Sequence, residues 1–116
     1  MSGDGGAARA VFADSLRRNR DLGWNENVMY CLVGIAGADV GLGLPERAAR
    51  LLGAVFAVSE TMDIARIRDR YANEVEARTA ADARAQLGAE RYEAAVAAGR
   101  ELDLEAAIEY ALGSVD

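Results

Sequence analysis

The sequence predicts an all-α domain of about six helices arranged as antiparallel hairpins, and three observations carry that prediction. Alanine supplies about a fifth of the 116 residues, and it is the strongest helix former. Proline occurs once, at Pro45, which leaves long segments free to run as helices. Glycines punctuate segments whose apolar residues recur at three- and four-residue steps, and the alternating β-branched runs that strands need are scarce.

The chain is organised around 26–60, where Leu32 to Val55 read as two antiparallel helices meeting at a tight corner, Gly41-Leu42-Gly43-Leu44-Pro45. Residues 1–6 read as a flexible lead-in and 7–116 as one helical domain. A first helix is expected from Ala7 to Leu22, with Val11, Phe12, Ser15 and Leu16 inward and Arg17, Arg18 and Arg20 outward. Gly23 stops it, and Trp24 is placed to seal the link. Asn25 or Asn27 can cap the second helix. From Val28 to Val40 its apolar residues point all round, so it is expected at the centre of the fold, with Gly34, Gly37 and Gly41 permitting close contact.

Pro45 opens the third helix, where proline costs no hydrogen bond. Its core stripe is Ala48, Leu51, Leu52, Val55, Phe56 and Ser59, with Arg47, Arg50 and Glu60 outward. Thr61, followed by Asp63, is read as the N-cap of a long fourth helix carrying Ile64, Ile67, Tyr71, Val75, Ala80, Ala83 and Leu87, with a bend near Thr79. Gly88 ends that helix. A short fifth one over Glu90–Ala98 uses Tyr92, Ala95 and Val96, and Gly99 ends it. Asp103 caps the last, where Leu104, Ala107, Ile108, Ala111 and Leu112 face inward.

Composition narrows the function. The net charge is −6, and the acidic excess lies in the second half: seven Arg against twelve acids over 61–116, six against seven over 1–60. That balance argues against direct nucleic-acid binding, which needs a positive footprint, and against an anionic membrane surface. No apolar run reaches the length of a membrane span. A lone cysteine, Cys31, allows no intrachain disulfide, so a reducing, cytoplasmic setting is expected and Cys31 is read as an inert core thiol. There is no His, so Ser/His/Asp and Cys/His catalysis are unavailable and the commonest metal ligand is missing. Acid pairs such as Glu74/Glu76 and Glu90/Glu93 read as solvated helix surface. Gly41–Leu44 lacks the strand and Lys of a phosphate loop. The chain is expected to be no enzyme and to need no cofactor or metal.

The central hairpin resembles a tetratricopeptide-type repeat, with Ala36, Gly43, Ala48 and Leu52 at matching offsets and Ala8 and Phe12 resembling the second half of a preceding repeat. Asp39 departs from the motif, and Ala8 to Ala48 spans 40 residues against a 34-residue period. The phrases GLPERAARLLGAV (43–55) and QLGAERYEAAVAAGRELDLEAAIEYAL (86–112) are similar to the C-terminal helical part of large LuxR-type, ATPase-containing actinobacterial regulators. The resemblance implies a right-handed α-α array of tetratricopeptide-like hairpins, with a long helix packed on the central one. It further implies a non-catalytic protein–protein interaction or scaffold module of a bacterial transcription or signalling regulator, partnered by another protein, by the rest of a larger chain or by a second copy. The family's nucleotide-binding motif GxxxxGK[ST] and a helix-turn-helix reader are both missing.

Candidate contact residues follow from the hairpin. A tetratricopeptide groove is lined by the first helix, here Tyr30, Val33, Gly37, Val40 and Gly41, which lack the basic residues that grip a peptide carboxylate. That face is expected to be covered by the Ile64–Val75 helix. Asp39 continues the Val28–Leu32–Ile35 stripe, so a partly buried carboxylate paired with Arg47 or Arg50 is predicted. The alternative reading is a small-molecule sensor with an apolar pocket between the hairpin and the long helix, lined by Met29, Tyr30, Met62 and Tyr71.

Overall fold

The computed structural model describes residues 3–23, 25–62 and 70–113, and the side chains of 6–23, 27–60 and 74–113. These residues form six helices and no strand: α1 (Gly3–Leu22), α2 (Asn25–Gly41), α3 (Pro45–Met62), α4 (Arg70–Leu87), α5 (Ala89–Arg100) and α6 (Leu104–Leu112). None is long and apolar enough to cross a membrane. The all-α expectation is met. Trp24, Asp63, Ile64 and Ile67 lie outside the described residues.

Several boundaries differ from expectation. Helix α1 begins at Gly3, inside the segment read as a lead-in. Thr61 belongs to α3 rather than opening the next helix, and α4 runs through Thr79 as one element. Gly99 does not end α5, which continues to Arg100; Leu102 N–H reaches the Gly99 carbonyl at 3.0 Å just beyond. On α1, Val11 points to solvent and Ala13 takes its place in the core beside Leu16.

Glycine does shape the corner. Gly43 has φ 81°, a conformation that a β-carbon disfavours, and the backbone closes there as a Schellman turn. Leu44 N–H donates to the Asp39 carbonyl at 2.8 Å and Gly43 N–H to that of Val40 at 3.1 Å. Pro45 then starts α3, and Ala48 N–H donates to the Leu44 carbonyl at 3.2 Å. At Gly88 (φ 87°) the N–H reaches the Arg84 carbonyl at 2.8 Å, so α4 stops and α5 begins without an intervening loop. Asp103 caps α6 as expected, accepting from Ala106 N–H at 2.8 Å.

Helix α2 is enclosed on most sides: Val28, Met29, Cys31, Leu32, Val33, Ile35 and Ala36 are all buried. Its neighbours are α1, α3, α4 and α6. Helix α3 is the second hub, touching α2, α4, α5 and α6 through Ala48, Ala49, Leu51, Leu52, Ala54 and Val55. Its most extensive partner is α5, and two glycines set that contact. A β-carbon on Gly53 would collide with the Val96 backbone carbonyl, and one on Gly99 with that of Arg50. The two backbones therefore touch with no side chain between them, which ties the C-terminal helices onto the hairpin.

Candidate functional site

The polar feature at the heart of this packing is Asp39, two residues before the end of α2. Its side chain is 0 % exposed, and its partners Arg9 and Arg47 are only 14 % and 15 % exposed. Arg9, from α1, donates through Nε to Asp39 Oδ1 at 2.9 Å. Arg47, from the first turn of α3, brings its Nε within 3.5 Å of Oδ2, an ion pair whose geometry is not that of a hydrogen bond. Burial pushes the Asp39 carboxyl above the usual carboxylate range, and Arg9 and then Arg47 pull it back.

Both guanidiniums reach onward to one place. Arg9 Nη2 donates to the Ala111 carbonyl and, at 3.4 Å, to that of Gly113. Arg47 Nη2 donates to the Tyr110 carbonyl at 2.9 Å, and its guanidinium lies 4.7 Å from the centre of the Tyr110 ring. The last carbonyls of a helix lack intrahelical donors and carry its negative end, so two cations from α1 and α3 cap α6. Asp39 thereby joins four helices: it sits on α2, orients one arginine from α1 and one from α3, and through them holds α6. This arrangement positions helices and presents no exposed nucleophile or acid.

Of the two arginines named as candidates for Asp39, Arg47 is its partner and so does not point outward. Arg50 instead pairs with Glu46 at 3.0 Å and approaches Tyr110 Oη at 3.5 Å. Arg9 was not singled out from sequence. It stands 30 residues before Asp39, and only the helix packing brings it there.

The remaining predicted contact residues do not form one open face. Tyr30 is exposed, Val33 is buried and Val40 is half-buried against the core. Gly37 lies under α4, where an added β-carbon would stand 3.3 Å from Thr79 Oγ1. At Gly37 the neighbour is therefore Thr79 of α4; most of the Ile64–Val75 stretch expected to cover this face lies outside the residues whose side chains are described. Gly41 stands in open space. Ala36, Ala48 and Leu52 are fully enclosed, and Gly43 makes the corner. Met29 is packed into the core, whereas the side chains of Met62 and Tyr71 lie outside the described residues.

Cys31 is buried, and burial raises its thiol above the ordinary value against a weak opposing contact from Asn19 at 4.0 Å. It is therefore a protonated core thiol, as its apolar neighbours in sequence predicted. Among the described residues no three His, Cys, Asp or Glu side chains are grouped closely enough to hold a metal. Clefts open on the surface among the described residues. One of about 350 Å³ lies along Ala57, Val58 and the Arg100–Leu104 link, and one of about 270 Å³ lies between α3 and the α4–α5 junction. Compared with protein-family models, with curated proteins and with solved structures, the chain matches none.

Proposed function

We propose that this domain is a non-catalytic helical module for protein–protein contact, serving within a bacterial transcription or signalling regulator as its sequence resemblance implies. The observation that carries the reading is the outer side of α1. Val11 is 65 % exposed and Leu22 60 %, and they stand three helical turns apart on one face. The other large exposed hydrophobic side chain among the described residues is Tyr30, at 41 %, on α2. All three lie on the first two helices, and among the described side chains the later helices leave their large apolar groups buried or half-buried. Between Val11 and Leu22 that face carries the exposed Asp14–Arg18 ion pair at 2.8 Å, and an end helix with apolar and charged side chains both facing water is what a stacked helical array presents to its next neighbour. The buried charges serve the same reading, because Asp39, Arg9 and Arg47 brace α1 against α2, α3 and α6 and so hold that outer face rigid.

The test places a photo-crosslinking amino acid at position 11 of the intact chain in cells, and separately at Asp82 on the exposed side of α4. Adducts at position 11 and none at 82 are the expected result. Equal yields at the two positions, or none at 11, overturn the proposal.

A further inference from the structure

We propose that α6 is a strap that regulates the contact face of α1, so that the docking of α6 and the pose of that face are one coupled event. Helix α1 grips α6 at both ends. Arg9 Nη2 donates to the Ala111 carbonyl and, at 3.4 Å, to that of Gly113, while Arg20 Nη1 lies 3.8 Å from Glu105 Oε2 in the first turn of α6. Arg9 and Arg20 are eleven residues apart, as are Val11 and Leu22. Each exposed apolar residue follows its arginine by two positions, about 200° around the helix axis. The inner face that holds α6 therefore stands behind the outer face offered to a neighbour, and the two move together.

Helix α6 has the build of an element that leaves its seat. It spans nine residues, fewer than the ~12–15 at which an isolated helix becomes marginally stable. Of its buried side chains, Ala107, Ile108 and Ala111, only Ile108 is large. Its contacts with α1, α2 and α3 are each slighter than the packing of α1 on α2, of α2 on α3 or of α3 on α5. Its hold is polar instead, with the Asp103 cap at one end and the Arg9 and Arg47 donors at the other. Such an element stands at the low end of the range of local stabilities in a fold. When it opens, Arg9 keeps only Asp39, Arg20 loses Glu105, and α1 rests on α2 through Phe12, Ala13 and Leu16. Helix α1 is then free to tilt and carry Val11 and Leu22 away from a neighbour. By linkage, an occupant that binds the outer face in its seated pose tightens α6 by the same factor. What is regulated rests on the contact read on α1, whereas the coupling is measurable without a partner.

The experiment measures amide hydrogen exchange by NMR on the intact chain carrying Asp103→Ala or Ile108→Asp. Asp103 is exposed and caps α6 through Ala106 N–H, so the first variant loosens α6 without entering the core, by about fivefold in exchange. Ile108→Asp unseats α6 outright by placing a carboxylate where its apolar anchor sits. In both variants exchange in α1 should rise with that in α6, by about tenfold once α6 is unseated, the worth of the charge-assisted contacts that Arg9 loses. Helix α5 should keep the parent's rate. Adducts at the photo-crosslinking position 11 should fall in Asp103→Ala. Should Ile108→Asp fail to fold, Asp103→Ala alone decides. Faster exchange in α6 with α1 unchanged, or an equal rise in α1 and α5, would overturn the coupling. Undiminished adducts in Asp103→Ala would overturn the regulation and leave the contact on α1 standing, whereas a parent chain without adducts at position 11 loses that contact and keeps the coupling read by exchange.

Discussion

Two junctions hold the helices together, and they do so by opposite chemistry. Where α3 crosses α5 there is no side chain at all between Gly53 and the Val96 carbonyl, or between Gly99 and the Arg50 carbonyl. Where α1, α2, α3 and α6 converge, the contact is a fully enclosed carboxylate between two guanidiniums. The first junction depends on shape and is indifferent to pH and salt. The second has specific partners and directions, but it removes three charges from most of their water. An apolar crossing can slide along its ridges, whereas a hydrogen-bonded cluster fixes one register. The charged junction therefore defines where α6 docks, and the glycine crossing defines how closely α5 approaches.

The largest expected effect breaks the charged junction. Arg47→Ala removes one of the two cations facing Asp39, the hydrogen bond to the Tyr110 carbonyl and the contact with the Tyr110 ring at once. Removing one partner of a buried ion pair leaves charge uncompensated, so a loss of about 3 kcal/mol in urea unfolding is expected. Amide exchange should rise first in α6, the element that Arg47 caps. A uniform rise across all helices, with α6 no faster than α5, would show that the cluster does not act as the clasp of α6.

Much of this was legible in the sequence, and the parts that were not share a cause. Helix punctuation by Gly23, Gly43, Pro45, Gly88 and Asp103 is local chemistry, and each of these residues does what its type predicts. Burial of Asp39 followed from its place on an apolar stripe, and Arg47 was in reach because the corner is short. Arg9 was hidden because it meets Asp39 only through the packing of α1 on α2. Gly99 was misread because a glycine near the end of a helical pattern signals a stop and a close crossing equally well. Local pattern cannot separate the two without knowing that α5 lies on α3. Val11 was placed inward for a related reason: with so much alanine on α1, Ala13 serves as a core residue and the apolar stripe alone does not locate the buried side.

The next effect tests the crossing. Gly99→Ala places a methyl group against a backbone carbonyl that cannot rotate away, so the two helices must separate. The gain in helix propensity is smaller than that overpacking, and a net loss of about 2 kcal/mol is expected by chemical denaturation. Because the contact is uncharged, the loss should be the same at low and high salt. A variant as stable as the parent would mean that the crossing is looser than the facing carbonyls imply.

The smallest effect carries the opposite sign and sharpens the contrast within a single helix. Gly34, Gly37 and Gly41 recur along α2 at three- and four-residue steps, and sequence alone assigns all three to close contact. Their surroundings are graded. A β-carbon on Gly34 would run into the Phe12 ring at 2.5 Å, one on Gly37 would meet Thr79 Oγ1 at 3.3 Å, and one on Gly41 would touch nothing within 4 Å. Gly41 is exposed, its φ is not positive, and the corner's hydrogen bonds are donated by Leu42, Gly43 and Leu44, so alanine there disturbs neither packing nor the turn. What remains is the backbone freedom that glycine forfeits on folding, and its removal should raise the urea midpoint by the equivalent of about 0.5 kcal/mol. Gly34→Ala, forced against an aromatic ring, should lower it. If both substitutions lowered the midpoint equally, proximity along α2 would not be what distinguishes these glycines, and the open space beside Gly41 would be filled by a neighbour in solution.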